Sequence, residues 1–163
     1  MPEPTNLCHV DISLALISVG DLFVMQLRDF DSEISDPGTW GFFAGRCETG
    51  EQPRSTMLRE LREELSWQPE LLIFLGVILI EDRRINVFCS SVHSGIPTFT
   101  LQEGVDMDAF DAEQIKGEVL FSNKLQSHYR VNAISLRVFD LFYGRAGYAP
   151  QGRSELESAG RDT

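Results

Sequence analysis

The chain has 163 residues, 42% hydrophobic and 24% charged, with 25 acids against 14 bases and a formal net charge of −11. These are the proportions of a folded domain large enough to bury a core. The acidic excess argues against gripping a nucleic-acid backbone, which takes clustered Lys and Arg.

No apolar run approaches the roughly 20 residues of a membrane span, and the start shows no basic stretch followed by an apolar one, as a secretory signal has. Cys8, Cys47 and Cys89 have neither paired metal spacing nor an even disulfide framework. A reducing, cytoplasmic setting is expected.

Residues 1–6 hold two prolines and read as a loose start. Residues 8–19 are β-branched and apolar, a strand, followed by the turn signal Gly20-Asp21 and a hairpin partner over 22–27. The acidic stretch 28–39, with Asp36-Pro37-Gly38, is a loop, and 40–44 is a short strand. A helix starts at Pro53, favoured at the first helical position, after Gln52, a poor N-cap. Met57, Leu58, Leu61 and Leu65 form its apolar face, with the glutamates expected to face away. Pro69 ends the helix.

Residues 71–80 form a long apolar run read as a buried strand kinked at Gly76. Strands over 85–92 and 98–102, a helical turn over 112–116 and an amphipathic helix over 131–143 follow. Residues 1–144 read as one domain. The tail 145–163, rich in Gly, Ser and charge, reads as disordered.

The chemistry concentrates in GRCETGEQPRSTMLRELREELSW, residues 45–67. Residues three and four apart share a helix face, so Glu60, Glu63 and Glu64 gather three carboxylates. Hard divalent cations such as Mg²⁺ or Mn²⁺ take oxygen ligands of that kind.

This stretch resembles the Nudix box of the Nudix hydrolases: Gly45, then Glu51, Arg59-Glu60, Leu61, Glu63-Glu64 and, loosely, Trp67, with Ser66 in place of the usual Gly. From average residue usage, a chance match is on the order of 10⁻⁷ to 10⁻⁸ per starting point. The resemblance implies an α/β fold, an α/β/α sandwich around a mixed β-sheet, with the box helix closing at Ser66 in the left-handed conformation. It implies Mg²⁺ or Mn²⁺ held by Glu60, Glu63, Glu64 and the Ala44 carbonyl, with Glu51 and Arg59 orienting loop and helix around Gly45. Glu103-Gly104 is similar to the outlying Glu-Gly pair of the mutator-type triphosphatases and makes Glu103 a further ligand or base. Read on their own, Glu103 is alternatively a solvated loop acid, and Glu51 a plain exposed one.

Arg28 resembles the arginine that family members aim at substrate phosphate, and reads alternatively as a structural surface Arg. Trp40 suits core packing better than base stacking. Asp106 and Asp108 read as surface charge. The expected activity is metal-dependent hydrolysis of a nucleoside diphosphate linked to some group X, catalysed through Glu60, Glu64 and Glu103. The expected partner is a small nucleotide: a nucleoside triphosphate or an oxidised one, with ADP-ribose or nucleotide sugars as the alternative and a non-catalytic sensor as the dissenting reading. A homodimer is compatible with the resemblance.

Overall fold

The computed structural model describes residues 9–93 and 99–144. The expectations for Cys8, Thr98 and the tail from Arg145 lie outside the described residues.

Strand β1 (Val10–Val19) turns at Gly20, whose φ of +60° suits glycine, into β2 (Leu22–Leu27). Along β1, Leu14 and Leu16 enter one core while Ala15 and Ile17 enter another on the opposite face. A strand buried on both faces reads as a nearly continuous apolar run rather than an alternation. The expected strand over 40–44 is two pieces, β3 (Trp40–Gly41) on β2 and β4 (Phe43–Arg46) on β1. Between them the Phe42 N–H donates to Ser135 Oγ at 3.0 Å instead of to a strand.

Helix α1 (Pro53–Leu65) begins with Pro53 and no side-chain cap from Gln52, as expected. It ends on Ser66 in the left-handed conformation, φ 50° and ψ 36°. Met57, Leu61 and Leu65 pack fully buried on Ala15, Ile17, Val24, Phe43 and Phe88. Burying each such side chain stabilises the fold by roughly 1.5–3 kcal/mol.

Strands β5 (Ile73–Ile80) and β6 (Arg83–Val92) form a hairpin, and β6 runs parallel to β1 from Val10↔Arg83 to Val19↔Val92. Gly76 marks a break in register against β6, as its position in the apolar run suggested. The expectation that this strand is buried is overturned: Phe74, Val77 and Leu79 are exposed. The strand lies at the end of the sheet, so neighbours cover it from one side only.

Residues 99–102 form no strand. Their N–H groups at Thr100 and Gln102 donate instead to the Leu65 and Glu64 carbonyls. The strand in this region is β7 (Asp106–Phe110), paired with β2. Asp111 caps α2 (Ala112–Lys116) in a reciprocal pair with Gln114. A small hairpin of β8 (Val119–Ser122) and β9 (Ser127–Arg130) follows. The expected helix over 131–143 divides into α3 (Ala133–Phe139), capped by Asn132, and a π-helical turn (Asp140–Gly144). Val131 instead bridges to Trp40.

The main sheet runs β3-β2-β1-β6-β5, with β4 also on β1 and β7 on β2. It is mixed, and it carries α1 on one face and Ile115, Val138 and Phe139 of α2 and α3 on the other. The expected α/β/α sandwich is the observed architecture. β1 pairs with β4 through Ile12–Ala15 and with β2 through Ile17–Val19. Beyond that divergence Gln26 on β2 reaches Glu64 and Gly45 on β4 lies against Glu60, both on α1.

Candidate active site

Loop and helix are locked together first. Arg59 holds Glu51 by two parallel bonds, Nε to Oε1 at 2.9 Å and Nη2 to Oε2 at 3.0 Å. Such a fork fixes geometry as well as charge. The Glu48 N–H and the Thr56 hydroxyl donate to the same Glu51 carboxylate, at 3.0 and 2.8 Å. Glu51 is thereby pulled down to about 2, chiefly by Arg59, and Arg59 is held still more firmly protonated by Glu51. Arg59 Nη1 also donates to Glu60 at 2.9 Å and Glu63 at 3.2 Å.

Gly45 has a distinct steric role. A Cβ built there would collide with the Glu60 carboxyl, so only glycine lets that side chain lie against β4. Gly104 is similar in kind, with φ +89° and the Leu27 carbonyl 2.8 Å from where a Cβ would sit.

Glu64 departs from the expectation that the α1 glutamates face away. It is 4% exposed, because it falls three residues beyond Leu61 on the buried stripe. Its Oε2 is buried with no hydrogen-bond partner among the described residues. Burial above all, then the charges of Glu60 and Glu103, push it up to about 8, against the pull of Arg28 and a hydrogen bond from Gln26. Burial likewise raises Glu60, opposed by Arg59. Glu60, Glu64 and Glu103 therefore act on one another as neighbours, while the Glu63 side chain is largely exposed. Glu103 arrives there because the Gln102 N–H is tied to the Glu64 carbonyl at 2.8 Å.

Beside these acids opens a cleft of about 460 Å³. Ala44 and Gly45 form part of its wall. Val10, Ile12, Leu14, Phe42 and Ile134 supply apolar surface, and Arg28, Ser35, Asp36, Arg46, Asp82, Arg83, Asn132 and Ser135 supply polar groups of both signs. Arg46, Arg83 and Asn132 were not singled out in the sequence. Arg46 follows Gly45 directly, and strand alternation from Ala44 could have indicated it. Asn132 carried a signal too, as an N-cap residue opening an apolar-periodic run. Its Oδ1 accepts from the Ser135 N–H at 2.9 Å.

Trp40 is core: fully buried, donating from Nε1 to the Leu120 carbonyl at 3.3 Å and set edge-on to Phe110. Asn123 bonds to Asp108, Tyr129 leans on Phe30, and neither lines the cleft.

A family model of the NUDIX domain matches residues 9–116. The chain belongs to the Nudix family. It is thus assigned to the pyrophosphohydrolases, hydrolases of acid anhydrides. Among solved structures, a MutT from work on Aliivibrio salmonicida and Vibrio cholerae is 16% identical, over 85% of this chain and 99% of that one, with TM-score 0.64. The E. coli dihydroneopterin triphosphate pyrophosphohydrolase is 15% identical over 85% and 99%, with TM-score 0.62. The NUDIX domain of Shewanella oneidensis NrtR, complexed with ADP ribose, is 13% identical over 81% and 84%, with TM-score 0.59. At these identities the likeness is one of fold. A comparison with curated protein sequences finds no match.

Nudix hydrolases generally use divalent metal ions, and the donor set here fits one. It consists of hard carboxylate oxygens, one of them on Glu64 buried and unpartnered. Among the described residues no three acids already converge on a point, since Arg59 draws Glu60 and Glu63 toward itself.

Proposed function

We propose that this Nudix hydrolase cleaves the phosphoanhydride of a nucleoside diphosphate linked to X, a nucleoside triphosphate or an oxidised one first among them. The products are a nucleoside monophosphate and the phosphorylated remainder. One observation carries the reading: the Ala44-Gly45 stretch of β4 is at once a wall of the cleft and the seat of Glu60. A nucleoside in the cleft thereby has its phosphates beside the acids.

Glu60, Glu63, Glu64, Glu103 and the Ala44 carbonyl would hold Mg²⁺ or Mn²⁺. Bound there, the cation neutralises phosphate oxygens and lowers the pKa of water. Glu60 or Glu103 accepts the proton of the attacking water, within the cluster that Glu64 completes. Glu51 and Arg59 keep loop and helix in place, as outer groups orient ligands elsewhere. Arg28, close enough to act on Glu64, receives the phosphates. The apolar wall takes the base, and a net charge of −11 suits a small nucleotide partner, its charge met by the cation, rather than a nucleic-acid backbone.

A second reading, ADP-ribose or nucleotide-sugar hydrolysis, draws on the likeness to the NrtR domain bound to ADP ribose. The test is a hydrolysis panel with Mg²⁺ and Mn²⁺, setting nucleoside triphosphates and 8-oxo-dGTP beside ADP-ribose and nucleotide sugars. A monophosphate released from a triphosphate, and lost in Glu64→Gln, supports the proposal. Turnover of ADP-ribose alone selects the second reading. A silent panel with cation still bound points to a nucleotide sensor or to a substrate outside the panel.

A further inference from the structure

We propose that β5 is the seam of a homodimer, in which two copies join their free β5 edges antiparallel about a two-fold axis. β5 ends the sheet, and β6 is its sole strand partner among the described residues. Among the described residues its outer edge therefore presents unpaired backbone donors and acceptors. Edge strands are ordinarily guarded by charge, proline or a bulge. IFLGVILI contains neither charge nor proline, and its irregularity lies near its start, between Phe74 and Gly76. Val77–Ile80 continues in regular register.

One face of the strand adds an apolar seam. Phe74 rests on Phe88 with ring centroids 5.4 Å apart, and Val77 and Leu79 lie opposite Asn86 and Arg84. Positions 88, 86 and 84 alternate along β6, so these three apolar side chains share a face. They are 53%, 44% and 61% exposed. Antiparallel pairing in phase sets the two triplets side by side on one face of a sheet continuous through both copies.

Charge selects a second copy, and in this direction. At the start of β5 the exposed Arg54 donates to the Leu72 carbonyl at 2.7 Å. At its end stand the exposed acids Glu81 and Asp82. Antiparallel pairing brings Glu81 and Asp82 of each copy to Arg54 of the other, with Arg83 and Arg84 following the acids at the start of β6. The pairing consumes both edges and closes at two. The contact is small for a stable interface, so association is reversible and concentration dependent.

The test is sedimentation velocity on the full chain from about 1 to 200 µM, bracketing affinities of small interfaces. Wild type is expected to pass from monomer to dimer, while Leu79→Lys stays monomeric with an unchanged melting curve at low concentration. Arg54→Glu should weaken the dimer about tenfold, because the pair recurs by symmetry, and Glu81→Arg added to it should recover the loss. Hydrogen exchange over Ile73–Ile80 should slow at high concentration in wild type alone. A wild-type monomer throughout, assemblies larger than two, or a dimer indifferent to Leu79→Lys would overturn the proposal.

Discussion

Glu64 carries an energetic conflict that exposes its role. A carboxylate buried beside Glu60 and Glu103 is costly to ionise, and its value near 8 lies well above the ordinary 4.5. The folded chain keeps this proton between 4.5 and 8 while the unfolded chain releases it. Metal-free stability must therefore fall as pH climbs through that window. Glu64→Gln is expected to remove this slope in thermal melts at pH 5 to 9. It should also cut turnover beyond the roughly 10–100-fold typical of outer-group changes. Wild-type turnover in the variant would remove Glu64 from the proposed site.

Glu51 shows the opposite sign. Its folded value near 2 lies below 4.5, so its contribution is present above 4.5 and is lost as pH falls toward 2. Glu51→Gln should flatten the acid limb of the stability curve between those values. An unchanged acid limb would mean that the Arg59 fork does not persist in solution. Both residues stood out in the sequence, yet their environments did not. Spacing along a helix shows that Glu60 and Glu64 share a face, but which face is buried depends on what packs there.

At the scale of elements, α1 was the most legible. Its start at Pro53 and its apolar stripe follow from local chemistry, and its left-handed end at Ser66 from the resemblance. The serine occupies a conformation that disfavours a Cβ. Ser66→Gly should relieve a left-handed Cβ cost of about 1–2 kcal/mol, against about 0.5–1 kcal/mol for the extra chain freedom glycine loses on folding and the bond from Gln102 Nε2 to Ser66 Oγ at 3.2 Å. The melting midpoint should rise by about 1–4 °C. A fall would mean that the Gln102 bond outweighs the backbone strain.

β7 was illegible for a physical reason. Asp106 and Asp108 look like surface charge, yet their side chains accept from Ser122 Oγ at 2.6 Å and Asn123 Nδ2 at 3.1 Å. Those partners belong to β8 and the turn after it, so the acids are satisfied across a contact the local sequence does not contain. The run 71–80 misled in the reverse direction. Apolar content suggested burial, but burial depends on having neighbours on both sides.

At the scale of the molecule, the cluster and the cleft meet because β2 and β4 take different stretches of β1. Cation binding to the folded state alone should stabilise the whole by about 2.7 kcal/mol at a hundred times its Kd. Because ligands must lose protons to bind, that gain should grow as pH rises from 4.5 to 8. Melts with and without Mg²⁺ at both pH limits check this. A shift equal at both would separate cation binding from the raised carboxylates.

The chain's own order of residues carries the box, the helix with its caps, the mixed α/β character and the acids suited to a hard cation. Each of these follows from neighbours within a few turns of chain. The burial of Glu64, the approach of Glu103, the cleft with Arg46, Arg83 and Asn132, and the bare edge of β5 come from elements far apart in sequence. Packing sets the solvation of a charged or apolar group, and packing is a property of the assembled sheet rather than of any one strand or helix.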